Sequence, residues 1–179
     1  MAVKPILQVP NNLLHQKSER IVDINDEIKA IANDLLDTVH NTKDPEAAGL
    51  AAPQLGVLLR MCVVRKLPYD DRPADSSNSK DYLLINPELI KVSKETVQDF
   101  EACMSIPDIY AKVTRPHKVK LKALDIMGNE LKINASGYFA RIIQHEIDHL
   151  DGILITDKAD GKIYTEKEFD KMMYEYESE

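Results

Sequence analysis

The stretch Arg141–Gly152, RIIQHEIDHLDG, sets His145 and His149 four residues apart with Glu146 directly after the first. On a helix, positions i and i+4 lie one above the other, so both imidazoles can converge on one ion while Glu146 is offset beside it. The wider segment GYFARIIQHEIDHL keeps helical spacing. Tyr138, Ile142, His145 and His149 share one face, Asn134 or Ser136 is available as a cap, and Gly152 stands just past the end.

Outward from this helix the pattern changes. From His117, HKVKLKALDIMGNELKIN alternates lysines with Val119, Leu121 and Ala123 and turns at Gly128 and Asn129, which predicts an antiparallel hairpin. The runs VLLRMCVVRK and LLINPELIKVS predict two more strands, and the polar stretch from Leu67 to Tyr82 between them predicts a surface loop. Near the N-terminus, Ile24, Ile28, Ile31, Leu35, Leu36 and Val39 repeat at three- and four-residue intervals, so residues 23–41 form an amphipathic helix capped by Asp23 or Asn25. EAAGLAAPQLG, closed by Gly56 and broken by Pro53, reads as an irregular segment able to bring its backbone close to a ligand. The order of helix, strands, central helix and tail is that of an α+β fold rather than alternating βαβ units.

With 179 residues and 44% apolar content, the chain is expected to be one domain over 1–179, residues 165–179 forming a C-terminal helical tail. A net charge of −7 argues against a broad nucleic-acid or anionic-membrane surface and leaves local partners open. No apolar run approaches the roughly 18 residues a membrane span needs. Two cysteines and no secretory or transit signal fit a cytoplasmic protein with free thiols.

Two histidines are one ligand short of a catalytic metal site. The HExxHxxGxxH register fails because its last position is Ile155. A downstream glutamate, Glu166 or Glu168, has plausible spacing but sits among acidic neighbours that suit a solvated helix face. Upstream, Cys103 offers a thiolate, a strong ligand for zinc or ferrous iron, whereas the alternation around Cys62 suits a small core residue. His15, His40 and His117 lie outside any ligand spacing and read as surface or capping groups.

Taken together, GLAAPQ at 49–54, EACMS at 101–105 and QHEIDH at 144–149 resemble, in order, the three signature motifs of peptide deformylases. INPEL, Arg115-Pro116, DIMGN and LDGILITD extend the likeness over most of the chain. The resemblance implies that Cys103, His145 and His149 bind one divalent ion, Fe²⁺ with Zn²⁺, Ni²⁺ or Co²⁺ able to substitute. It further implies that Glu146 is the acid/base, that Gln54 and the Met104 backbone N–H hold the oxyanion, and that Glu101 pairs with Arg115. A solvated Glu101 and Arg115 is the plainer alternative. Gly49, Tyr138 and Ile142 are expected to bind substrate, an N-formyl-methionyl nascent peptide met in transient proximity to the ribosome. The formyl carbon carries only hydrogen, so a narrow pocket can exclude larger acyl groups.

Ala47 and Ala102 stand where the family usually has glycine, and Met104 where it has leucine; an alanine is strained wherever φ must be positive. The acidic tail would repel phosphate, so direct RNA docking is not expected. The apolar stripe of Phe169, Met172, Met173 and Tyr176 predicts instead that the tail folds back on its own domain.

Overall fold

The computed structural model describes residues 3–42, 47–67 and 79–177. Along the chain run helix α1 (Asp26–Asn41), strands β1 (Gly49–Ala51), β2 (Met61–Lys66), β3 (Lys80–Val92), β4 (Thr96–Cys103), β5 (Ile106–Pro116), β6 (Lys118–Leu124) and β7 (Glu130–Ser136), helix α2 (Gly137–Leu150), strand β8 (Ile163–Thr165) and helix α3 (Glu166–Glu177). The strands form two sheets, β1-β2-β3-β6-β7 and β4-β5-β8, with every ladder antiparallel. This is the expected α+β arrangement.

The continuous apolar run of β2 is explained by what lies on each side. Cys62 and Val64 point into a core shared with Ile143, Ile147 and Leu150 of α2, while Met61 and Val63 point into a second core with Leu35 and Val39 of α1. A strand covered on both faces loses the polar half of its alternation. Cys62 is fully buried, and burial pushes its thiol well above the ordinary range, so it acts as a small core residue. A third core, with Leu14, Ile106, Val113, Leu154 and Ile155, packs beneath Cys103.

Asn25 provides the cap of α1, its Oδ1 accepting from Ile28 N at 3.0 Å. Ser136 occupies the cap of α2 without a side-chain bond. At the other end of α2, Gly152 has φ of 74°, and an added Cβ would stand 2.7 Å from the His15 carbonyl, so only glycine lets residues 15–16 pass so close.

Several expectations change. Gly49–Ala51 is a strand paired with Ala51↔Cys62, not irregular chain, because β2 offers it a free edge; irregularity begins at the tight turn Ala52–Leu55. β2 starts at Met61 rather than Val57. Residues 80–82 belong to β3, and the rest of the expected loop lies, at 68–78, outside the described residues. In α3 only the first turns dock: Phe169 is half-buried, whereas Tyr176 is 78% exposed. The anchor is an aromatic contact at the start of the helix; Met172 is still partly buried, and Met173 and Tyr176 turn to solvent. Among the described residues, no helix is long and apolar enough to cross a membrane.

Candidate active site

The cleft of about 550 Å³ that opens beside α2 is lined by Gly49, Gln54, Cys103, Met104, Tyr138, Ile142, His145 and Glu146. Three elements that are remote in sequence meet there. The edge strand β1 and the turn after it supply Gly49 and Gln54, the bend between β4 and β5 supplies Cys103 and Met104, and α2 supplies the rest.

Cys103, His145 and His149 each present a donor atom, all within 4.8 Å of one another. Sγ of Cys103 lies 3.2 Å from Nε2 of His149. Neither Glu166 nor Glu168 joins this cluster. Glu168 instead caps α3, accepting from Thr165 N at 2.9 Å and pairing with Lys162 at 2.8 Å. The donor chemistry fits a divalent ion of borderline softness.

Behind the cluster sits a buried carboxylate. Glu101 binds Arg115 through both oxygens (2.5 and 2.8 Å) and receives Arg141 at 2.6 Å and Nδ1 of His145 at 3.0 Å. Burial works against its charge, but hydrogen bonds from Arg115 and then His145 outweigh it and hold the carboxyl well below the usual range. An ionised Glu101 can only accept, so His145 donates from Nδ1 and leaves Nε2 for the cluster. Burial likewise opposes charge on His145, yet bonds to Cys103 and Glu101 raise its pKa; His149 is lowered, first by burial and then by the charges of His145 and Arg115. Arg115 continues to Asp148 at 2.7 Å, which Lys158 meets at 2.8 Å. Arg141 also donates to the carbonyls of Val113 and Val97, at 2.9 and 2.8 Å, tying α2 to the three-stranded sheet.

Ten of the fourteen residues of α2 are buried, and the polar ones among them are satisfied with two exceptions: Glu146 Oε2 and His149 Nδ1 have no hydrogen-bond partner. Orphaned buried polar atoms are rare, and these two stand beside the cleft. Burial, partly offset by His145 and Arg115, raises the Glu146 carboxyl to about 7. Its place is set by Gly49, where an added Cβ would stand 2.5 Å from Glu146 Oε1 and 2.8 Å from its Cδ. Gly49 needs no unusual φ; it is glycine so that the glutamate can lie against the strand.

Gln54 is buried, and Ala51 N donates to its Oε1 at 2.8 Å, which turns Nε2 toward Ser105 Oγ (3.1 Å) and Cys103 Sγ (4.0 Å). Ile142 is 5% exposed and Tyr138 45%, so they occupy the inner wall and the rim of the cleft. Ala47 and Ala102 both lie outside the positive-φ residues, which among the described non-glycines are Asn86 and Asp108. Neither alanine is strained in the way a left-handed position would require.

Arg141 and Ser105 are site residues that the sequence alone does not single out, and by sequence alone Glu101 and Arg115 suit a solvated pair equally well. The available signal was the charged or polar residue embedded in an apolar run, Arg141 in FARII and Arg115 ahead of a proline, but its partners are 14 to 44 positions away.

Comparison with known proteins agrees with this arrangement. The sequence matches the family described as Polypeptide deformylase over residues 3–163. It is 41% identical over 162 residues to a peptide deformylase of Thermomicrobium roseum, covering 90% of this chain and 89% of that one. The fold superposes on the crystal structure of peptide deformylase from Ehrlichia chaffeensis with a TM-score of 0.78 at 29% identity, covering 99% and 96% of the two chains. A Met-Ala-Ser-bound peptide deformylase of Acinetobacter baumannii gives 0.75 at 26% identity, covering 88% and 98%.

Proposed function

The chain belongs to the polypeptide deformylase family, and from that premise we propose how its side chains divide the work of removing the formyl group from N-terminal formyl-methionine. Cys103, His145 and His149 would hold one divalent ion, for which we favour Fe²⁺, a metal that suits one thiolate and two imidazoles as Zn²⁺, Ni²⁺ and Co²⁺ also do. Such an ion, with three protein ligands, supplies an open position at which the pKa of water falls toward neutrality.

Glu146 moves the protons. Its Oε2 is buried, unpartnered and raised toward neutral pH, so it can take a proton from the attacking water and hand it to the departing amide nitrogen. The bond from formyl carbon to nitrogen breaks, water oxygen stays on the carbon, and formate leaves a peptide with a free methionine amine. Gln54 Nε2, pre-aimed by Ala51 N, is the donor for the oxyanion, with the Met104 N–H beside it. Gly49 seats the glutamate and, with Ile142 and Tyr138, borders the space for the formyl-methionine. A nascent polypeptide as the substrate is what supports reading the enzyme as one that works in the cytoplasm, close to the ribosome.

The observation that carries this reading is the orphaned Glu146 Oε2 beside a converging thiol and two imidazoles. Glu146→Gln is expected to retain one metal per chain and lose about 10²- to 10⁴-fold in formate release from formyl-Met-Ala-Ser. Cys103→Ala should lose tight metal binding, read by metal analysis after dialysis. Normal turnover in the glutamine variant rules out the acid/base role, and metal retention in the alanine variant rules out the thiolate ligand. Iron-loaded enzyme should outpace zinc-loaded enzyme and decay in air as iron and thiolate oxidise; equal, air-stable rates with zinc overturn the choice of metal.

A further inference from the structure

The outer end of the cleft is walled by Phe100 and Tyr110, and both are held from behind by the C-terminal helix. Phe169 stacks on Tyr110 with centroids 4.1 Å apart and planes 3° apart, and meets Phe100 edge-on at 5.0 Å. Tyr164 of β8 also meets Phe100 edge-on at 5.5 Å, and Lys112 stands 4.9 Å over the Phe100 ring. Glu166, the first residue of α3, itself lines the cleft. Farther along the helix, Tyr174 and Tyr176 are 75% and 78% exposed.

This geometry assigns the tail more than a stabilising contact. Resting on the deformylase reading above, we propose that α3 completes the binding site for the residues that follow formyl-methionine, with Phe169 as the positioning residue that fixes the Tyr110 and Phe100 wall. The inner cleft holds the reacting end through Gly49, Gln54 and α2, whereas the ring partners of Phe169 are Tyr110 and Phe100. The peptide beyond its first residue must leave by the open end, where half-buried aromatic faces offer apolar contact that tolerates many side chains. Both rings are only half-buried, and Phe169 is stacked face to face on Tyr110, so without it the wall loses that backing and more of its ordering falls to the substrate. Tail docking therefore sets the affinity for extended peptides and leaves the chemical step alone.

The test separates KM from kcat and long substrates from short ones. In Phe169→Ala, KM for formyl-Met-Ala-Ser should rise about threefold to tenfold, the worth of a lost aromatic pair. Its kcat should stay within about twofold, KM for formyl-methionine amide should not move, and Phe169→Tyr should restore the native value. Tyr176→Ala, on the exposed side of the same helix, is the control expected to change neither constant. An equal change for both substrates, or none for the longer one, overturns the proposal. A second readout needs no turnover. The chain has no tryptophan, so Phe169→Trp places a single reporter against Tyr110, and Met-Ala-Ser should shift its fluorescence saturably while methionine alone does not. A reporter silent to Met-Ala-Ser also overturns the proposal, whereas absence of formate release from the native chain overturns the deformylase reading and leaves the fluorescence result standing.

Discussion

The floor and the outer wall of the cleft are built from similar groups under opposite conditions. On the floor, Glu101 joins Arg115, Arg141 and His145 with almost no solvent, its side chain 5% exposed; in the helix behind the wall, Glu168 joins Lys162 and Thr165 with 46% of its side chain in water. Both carboxyls are held below their ordinary values, Glu168 to about 2 by Lys162 and Thr165. The resemblance in pKa hides a difference in consequence. A buried carboxylate that loses its charge strands two guanidinium groups away from water, whereas an exposed one is replaced by solvent at little cost. Rigidity is thus concentrated where imidazoles must be aimed. The wall relies on ring contacts that can loosen.

The largest expected effect comes from breaking the floor. Glu101→Gln should destabilise the fold by about 3–5 kcal/mol, the cost of leaving buried charges uncompensated, and weaken metal affinity by about 10- to 100-fold as His145 loses its orienting acceptor. Denaturant melts and metal titration measure the two, and a variant as stable as the native chain erases the contrast between floor and wall.

Gly49→Ala sharpens it next. The added methyl occupies the seat of Glu146, so turnover should fall on the order of 10²-fold for a displaced catalytic group, with metal content unchanged. Steady-state rates beside metal analysis distinguish this from a general loss of structure.

Deleting residues 166–179 should cost less. Phe100 and Tyr110 lose their cover, and the melting temperature should drop by about 3–6 °C. A drop as large as that of Glu101→Gln would mean that the wall is as structural as the floor.

Glu168→Gln is the smallest. Because the folded pKa of Glu168 is depressed to about 2 from 4.5, whatever stability it adds is fully present above pH 4.5 and is lost as pH falls toward 2. The melting difference between native and variant chains should be barely measurable at neutral pH, shrink further in high salt and vanish in acid. A difference that grows on acidification has the wrong sign for this account.

The sequence by itself determined the helix α2 and what it carries, because an i, i+4 histidine pair, its neighbouring glutamate and the glycine stop are local features with one geometric reading. It determined α1 and the β6–β7 hairpin for the same reason: periodicity and turn residues act within a few positions of themselves. Cys103 as a companion to the histidines came from scarcity of thiols and from motif resemblance, not from spacing. The tertiary structure decided the rest. Gly49–Ala51 became a strand because β2 left an edge for it, and Thr96–Pro116 became a hairpin that swings Cys103 to within 3.2 Å of His149. Glu101 binds groups 14, 40 and 44 residues further on, and its worth lies in exclusion of water, which no local pattern records. Phe169 and Tyr176 looked alike as members of one stripe. Burial separated them, since a helix face is apolar by sequence but is docked only where another surface reaches it.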